Sequence, residues 1–162
     1  MKKNLNYNIL NLLVLLGLCI TILMLFATPL ITTAFLKSRF SLLDTSLVIK
    51  ISICIYLCAV PYVTALFNLK KICKLIAENN AFSLKIVNYL KAISFCSFSA
   101  IIIFILCAIY LKYSTVLFHN VLLVGPIFII TFIGITIGFL FLVLSQLFEI
   151  FIQIKDENDK TI

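Results

Sequence analysis

Residues 121–144 read VLLVGPIFIITFIGITIGFLFLVL, an apolar run without one charged side chain. Its length meets the roughly 20 residues an α-helix needs to cross a hydrocarbon layer about 30 Å thick. Lipid offers no hydrogen-bonding partner, so a run of this kind must satisfy its backbone internally, as a helix does. Working outward, three further runs of the same character lie at residues 9–31, 47–67 and 93–111. Barrel strands would be about half as long and would alternate in polarity. The pattern predicts an all-α fold: an integral membrane four-helix bundle forming a single transmembrane domain over residues 1–162. A cytoplasmic amphipathic linker is expected at 68–92 and a cytoplasmic tail at 145–162.

Composition agrees. Hydrophobic types make up 64% of the 162 residues and charged types 12%, against about 45–50% and about 25% in soluble domains. The mean hydropathy is +1.23. A soluble enzyme core, a disordered tail protein and a nucleic-acid-binding module are thereby excluded. The net charge of +7 does not revive the last of these, because no soluble face carries it. The basic residues sit at span ends and in the linker, where they act as topology signals and meet anionic lipid headgroups. Near the start, the apolar stretch from 9 to 31 exceeds the 7–15 residues of a signal-peptide core, so an uncleaved first span is expected.

Four spans put both termini and the linker on one side of the membrane. That side holds Lys2, Lys3, Lys70, Lys71, Lys74, Lys85, Lys91, Lys155 and Lys160, nine of the thirteen basic residues; Lys37, Arg39, Lys50 and Lys112 lie opposite. The excess of positive charge predicts that the first side is the cytoplasm. Within the linker, Leu69, Ile72, Cys73 and Ile76 recur at helical spacing and predict a short amphipathic continuation of span two. Ser83 is a candidate cap for the helix leading into span three, and Phe82 a candidate anchor for the turn before it. The fourth helix is expected to continue past the bilayer and to fray from Lys155 to Lys160.

Helices associate in lipid through small residues and occasional polar contacts. Span four presents Thr131, Gly134, Gly138, Phe141, Ser145 and Glu149 in steps of three and four, with a GxxxG at its centre. The stripe is read as intramolecular helix packing, a homo-oligomeric seam being the alternative. Small faces on span one (Gly17, Thr21, Thr28), span two (Cys54, Cys58, Pro61, Ala65, Asn68) and span three (Cys96, Ala100, Cys107) suggest that all four helices meet. Pro61 predicts a kink, either a tolerated bend or a hinge. Glu149 should emerge on the bundle side, either solvated or latched to Lys70, Lys71 or Lys74.

The span centres hold no ionisable residue of the kind that marks a transport path. Of the six cysteines, Cys54 and Cys58 share a helical face, but the sequence shows no third ligand near them, so packing is the preferred reading over a soft-metal site. His119 has no acid or nucleophile beside it. Ser52, Ser94, Ser97 and Ser99 can bond preceding carbonyls and need no catalytic role. No catalytic, cofactor or metal residue is therefore assigned, no cofactor is expected, and the chain is read as a non-enzyme.

Two segments carry a family likeness. LIAENNAFSLKIVNYLKAISFC, with Ile76, Asn79, Asn80, Phe82, Ser83, Leu90, Lys91 and Ile93, resembles the linker of small bacterial four-helix membrane proteins grouped as domain of unknown function 2975. The ending IKDENDKTI resembles that family's C-terminus through Ile154, Lys155, Glu157, Asn158, Asp159, Thr161 and Ile162, with Lys160 in place of the usual leucine. The family has no assigned reaction. The resemblance implies an accessory component of a regulated system in the bacterial inner membrane.

The residues and the resemblance together suggest a regulatory or protective, immunity-like protein acting on a membrane or cytoplasmic protein partner within membrane lipids. Asn79, Phe82, Ser83, Glu149, Glu157, Asn158 and Asp159 are its candidate interaction residues, and Thr131, Gly134, Gly138 and Ser145 its candidate packing residues. The competing class is a small transporter or channel subunit whose polar path forms between protomers.

Overall fold

In a computed structural model, four helices follow one another: α1 (Lys2–Phe40), α2 (Thr45–Ala77), α3 (Leu84–Ser114) and α4 (Val124–Lys160). The structure describes residues 2–40, 45–77, 83–114 and 124–160, with side chains for 11–38, 45–77, 83–114, 125 and 127–158. Asn79, Phe82 and His119 lie outside the described residues. Each helix contains a segment long and apolar enough to cross a membrane. Their outer faces are apolar along the length: Leu23, Phe26, Leu30, Ile102, Leu106, Phe128 and Phe132 are all more than half exposed. Water would penalise so extensive a surface, whereas lipid accepts it.

The helices outrun the apolar spans that specify them. α1 starts at Lys2 rather than near residue 9, and α2 continues through the basic segment to Ala77. The expected fraying of the tail is corrected, since α4 remains helical to Lys160. No glycine or proline interrupts it after Gly138, and its last turns contain the good helix formers lysine and glutamate.

Packing is serial. α1 lies against α2, α2 against α3, and α3 against α4, while α1 meets neither α3 nor α4 among the described residues. The result is an open four-helix bundle with α3 flanked by α2 and α4. Ile72, Ile86, Leu90 and Ile93 form its buried nucleus, with Ala65 and Leu69 of α2 and Phe141, Leu144 and Phe148 of α4 packed around them. The expectation that four small-residue faces converge is therefore corrected. Gly17 has nothing within 4 Å of where a Cβ would stand, so no helix approaches α1 there.

A different device joins α1 to α2. Pro29 lies inside α1 and was not singled out by the sequence pattern. Its missing N–H deprives the Leu25 carbonyl of its helical donor. The Tyr56 hydroxyl of α2 donates to that carbonyl at 3.1 Å. Nearby, Thr28 donates to the Met24 carbonyl at 3.0 Å, and Thr32 to the Thr28 carbonyl at 2.8 Å. The one gap in the ladder is thus filled by a hydroxyl from the neighbouring helix.

Candidate functional site

The seam between α3 and α4 is built on the absence of two side chains. A Cβ at Gly138 would stand 3.0 Å from Phe98 Cε1 and Cζ, and one at Gly134 would stand 2.8 Å from Ile101 Cγ1. That approach brings the glycine carbonyls within reach of hydroxyls on α3. Ser94 donates to the Gly138 carbonyl at 2.8 Å and Ser97 to the Gly134 carbonyl at 3.3 Å. Both serines bond across to α4 instead of back along their own helix. Ser99 does bond within α3, to the Cys96 carbonyl at 2.9 Å. Phe98 is braced edge-on against Phe139, with centroids 5.7 Å apart. Further along the stripe, Ser145 is fully buried and donates to the Leu142 carbonyl at 2.7 Å, while the buried Thr131 hydroxyl bonds nothing.

At the end of the bundle where α3 begins, charged side chains gather. Glu149 accepts a 2.9 Å hydrogen bond from the Lys91 ammonium, forming an ion pair between α4 and α3. This is neither the solvated carboxylate nor the latch to Lys70, Lys71 or Lys74 that the sequence left open. The physical reason is the packing order: α4 rests on α3, and those lysines stand on α2. The two side chains are 51% and 40% exposed, so the pair is a partly screened clasp. Lys71 instead lies over the Tyr89 ring, 5.5 Å from its centroid, and couples α2 to α3.

Ser83 occupies the position before α3, and its carbonyl accepts from the Ile86 N–H at 2.9 Å. Its hydroxyl, expected to cap the helix, has no hydrogen-bond partner. Glu157 and Asn158 are exposed on the last turns of α4. Asp159 belongs to the same helix, with its side chain outside the described residues.

The opposite end is fastened by Lys50. Its ammonium donates to the Ser114 carbonyl at 3.3 Å and hydroxyl at 2.9 Å. Ser114 ends α3, so a cation on α2 meets the negative end of the α3 dipole. One turn deeper, the Cys107 thiol points to the Cys54 carbonyl at 3.9 Å, and Cys58 also neighbours Cys107. The third thiol that the sequence did not place beside Cys54 and Cys58 thus comes from α3. Even so, no group of three or more His, Cys, Asp or Glu residues is arranged to hold a metal ion among the described residues.

Four apolar helices held by glycine contacts, interhelical hydroxyls and clasps at both ends define a multi-pass, all-α membrane protein. The chain belongs to the family described as protein of unknown function DUF2975, which matches residues 33–162. The match takes in the last turns of α1 and all of α2, α3 and α4. No curated protein and no solved structure matches the chain.

Proposed function

We propose that this chain is a non-enzymatic protein of the bacterial inner membrane, acting through protein contacts as an accessory, regulatory or protective component. In this reading both termini and the segment 68–92 face the cytoplasm, supported by the nine-to-four distribution of basic residues. The observation that carries the proposal is the Lys91–Glu149 ion pair. Lys91 belongs to the linker motif that also holds Ser83, and Glu149 precedes the tail motif that begins at Ile154. The clasp ties α3 to α4 at the end of the bundle where α3 begins, and in this reading a single partner meets both motif segments there.

Photocrosslinking in cells, with probes replacing Phe82 and Asn158, tests the partner. The same protein should be captured from both positions, and capture of lipid alone from both would refute the reading. Orientation is tested separately with Lys85→Cys in a cysteine-free variant. Cys73 is unsuited as a native probe because it is only 2% exposed. A membrane-impermeant maleimide should label Cys at position 85 only once the inner face is opened. Labelling in intact cells would reverse the orientation.

A further inference from the structure

α4 carries two apolar sides where one would serve the fold. Its inner side, with Gly134, Gly138 and Ser145, is taken by α3. On the opposite side Ile133, Thr136, Leu140 and Val143 are exposed, and the same steps of three and four continue through Leu147, Ile150 and Ile154. Within the hydrocarbon layer such a side specifies nothing, because lipid tails accept it. Its continuation past that layer does. We infer that this outer side of α4 is a seam for the α4 of a second copy of the chain, the two helices running parallel.

Residues 92–111 of α3 hold no charged side chain and rise about 30 Å, matching the hydrocarbon layer. Lys91 therefore stands at the edge of that layer, and its ion pair sets Glu149 at the same depth. Ile150, Phe151 and Ile154 follow about 1.5–8 Å further along α4, each more than half exposed. They lie among headgroups and water, where apolar surface is penalised. Ile152 is buried on the opposite side, so α4 is held upright here and cannot lie in the membrane surface as an interfacial helix does. The stripe keeps the seven-residue period of a left-handed helix pair. Two copies inserted in one membrane share an orientation, so in a two-fold pair each position of the stripe meets itself. Every such meeting is apolar or, at Thr136, uncharged. Toward the end of the helix the flanking positions are Gln146, Phe151 and Gln153, again without charge, while Glu149, Lys155 and Asp156 lie off the seam. A second copy thus meets no like charge before Glu157, which takes the next place in the stripe and ends it.

The inference depends on neither the orientation of the chain nor a cytoplasmic partner. Full chains labelled with a donor or an acceptor fluorophore are reconstituted together in liposomes and diluted with lipid. Energy transfer should persist at dilutions where random proximity has vanished. Ile150→Lys with Ile154→Lys should weaken self-association by about tenfold or more, because like charges then face each other across the seam. Ile150→Glu with Ile154→Glu should do the same. Mixing the two charged variants should restore transfer between them, an outcome that coverage by lipid or by a different protein does not produce. Ile150→Cys or Val143→Cys in a cysteine-free variant should form disulfide-linked pairs on mild oxidation, whereas Asp156→Cys, on the far side of α4, should not. Transfer that disappears on dilution of the unsubstituted chain would overturn the proposal. So would mixing that restores nothing, or equal crosslinking of Ile150→Cys and Asp156→Cys. Crosslinking decides the matter if the charged variants do not insert, and dilution of the unsubstituted chain decides it if the cysteine-free variant does not fold.

Discussion

Tyr56→Phe removes one oxygen and leaves the ring in place, so it isolates how α1 tolerates Pro29. The hydroxyl stands 3.1 Å from the Leu25 carbonyl, the acceptor that the proline leaves without a backbone donor. A hydrogen bond lost in a soluble protein costs about 0.5–1.5 kcal/mol. Interhelical polar contacts in bilayers average about 0.6 kcal/mol and reach about 1.7. This bond belongs at the upper part of that range, because its loss strands a backbone carbonyl in an apolar setting. We expect Tyr56→Phe to cost about 1–2 kcal/mol. Pro29→Ala restores the N–H that reaches the Leu25 carbonyl, and in that background the same substitution should cost less than about 0.5 kcal/mol. Reversible unfolding of the four proteins in mixed micelles, followed by helix content, gives the coupling directly. Equal costs in the two backgrounds would refute the pairing of hydroxyl with proline gap.

Three further outcomes are expected. Gly138→Leu should destabilise the protein by about 1–3 kcal/mol through overpacking against Phe98, and Phe98→Ala should recover part of the loss in a thermal unfolding cycle. Glu149→Lys should cost about 0.2–1 kcal/mol, with stability returning when Lys91→Glu is added but not when Lys70→Glu is added. Lys50→Met keeps the apolar stem but removes the cation at the end of α3; a loss of about 0.3–1 kcal/mol should appear in unfolding titrations, together with faster amide exchange near Ser114.

The spans were legible in the sequence because crossing a bilayer is a condition on length and polarity along a single chain. The stripe through Gly134 and Gly138 was legible for a similar reason, since helical spacing places both on one face. What escaped was every contact that needs two helices at once. Ser94 and Ser97 looked self-satisfied until α4 brought glycine carbonyls to them. Glu149 has lysines of two helices at similar depth, and only the packing order selects Lys91. Pro29 passes unnoticed in an apolar run because its consequence, a stranded carbonyl, is met by a tyrosine 31 residues away. Ser83 shows the opposite failure: its position before α3 was legible, but a hydroxyl bond was inferred from residue type and is not made.

Serial packing lets assembly follow the order of synthesis. Each new helix has only its predecessor to find, so the loops to be closed are short and no early helix waits for a distant partner. The seam between α3 and α4 is completed last. A chain halted before residue 124 would leave the Ser94 and Ser97 hydroxyls facing lipid without their glycine acceptors. They would fall back on carbonyls of α3 itself, so the cross-helix pairing marks completion of the fold.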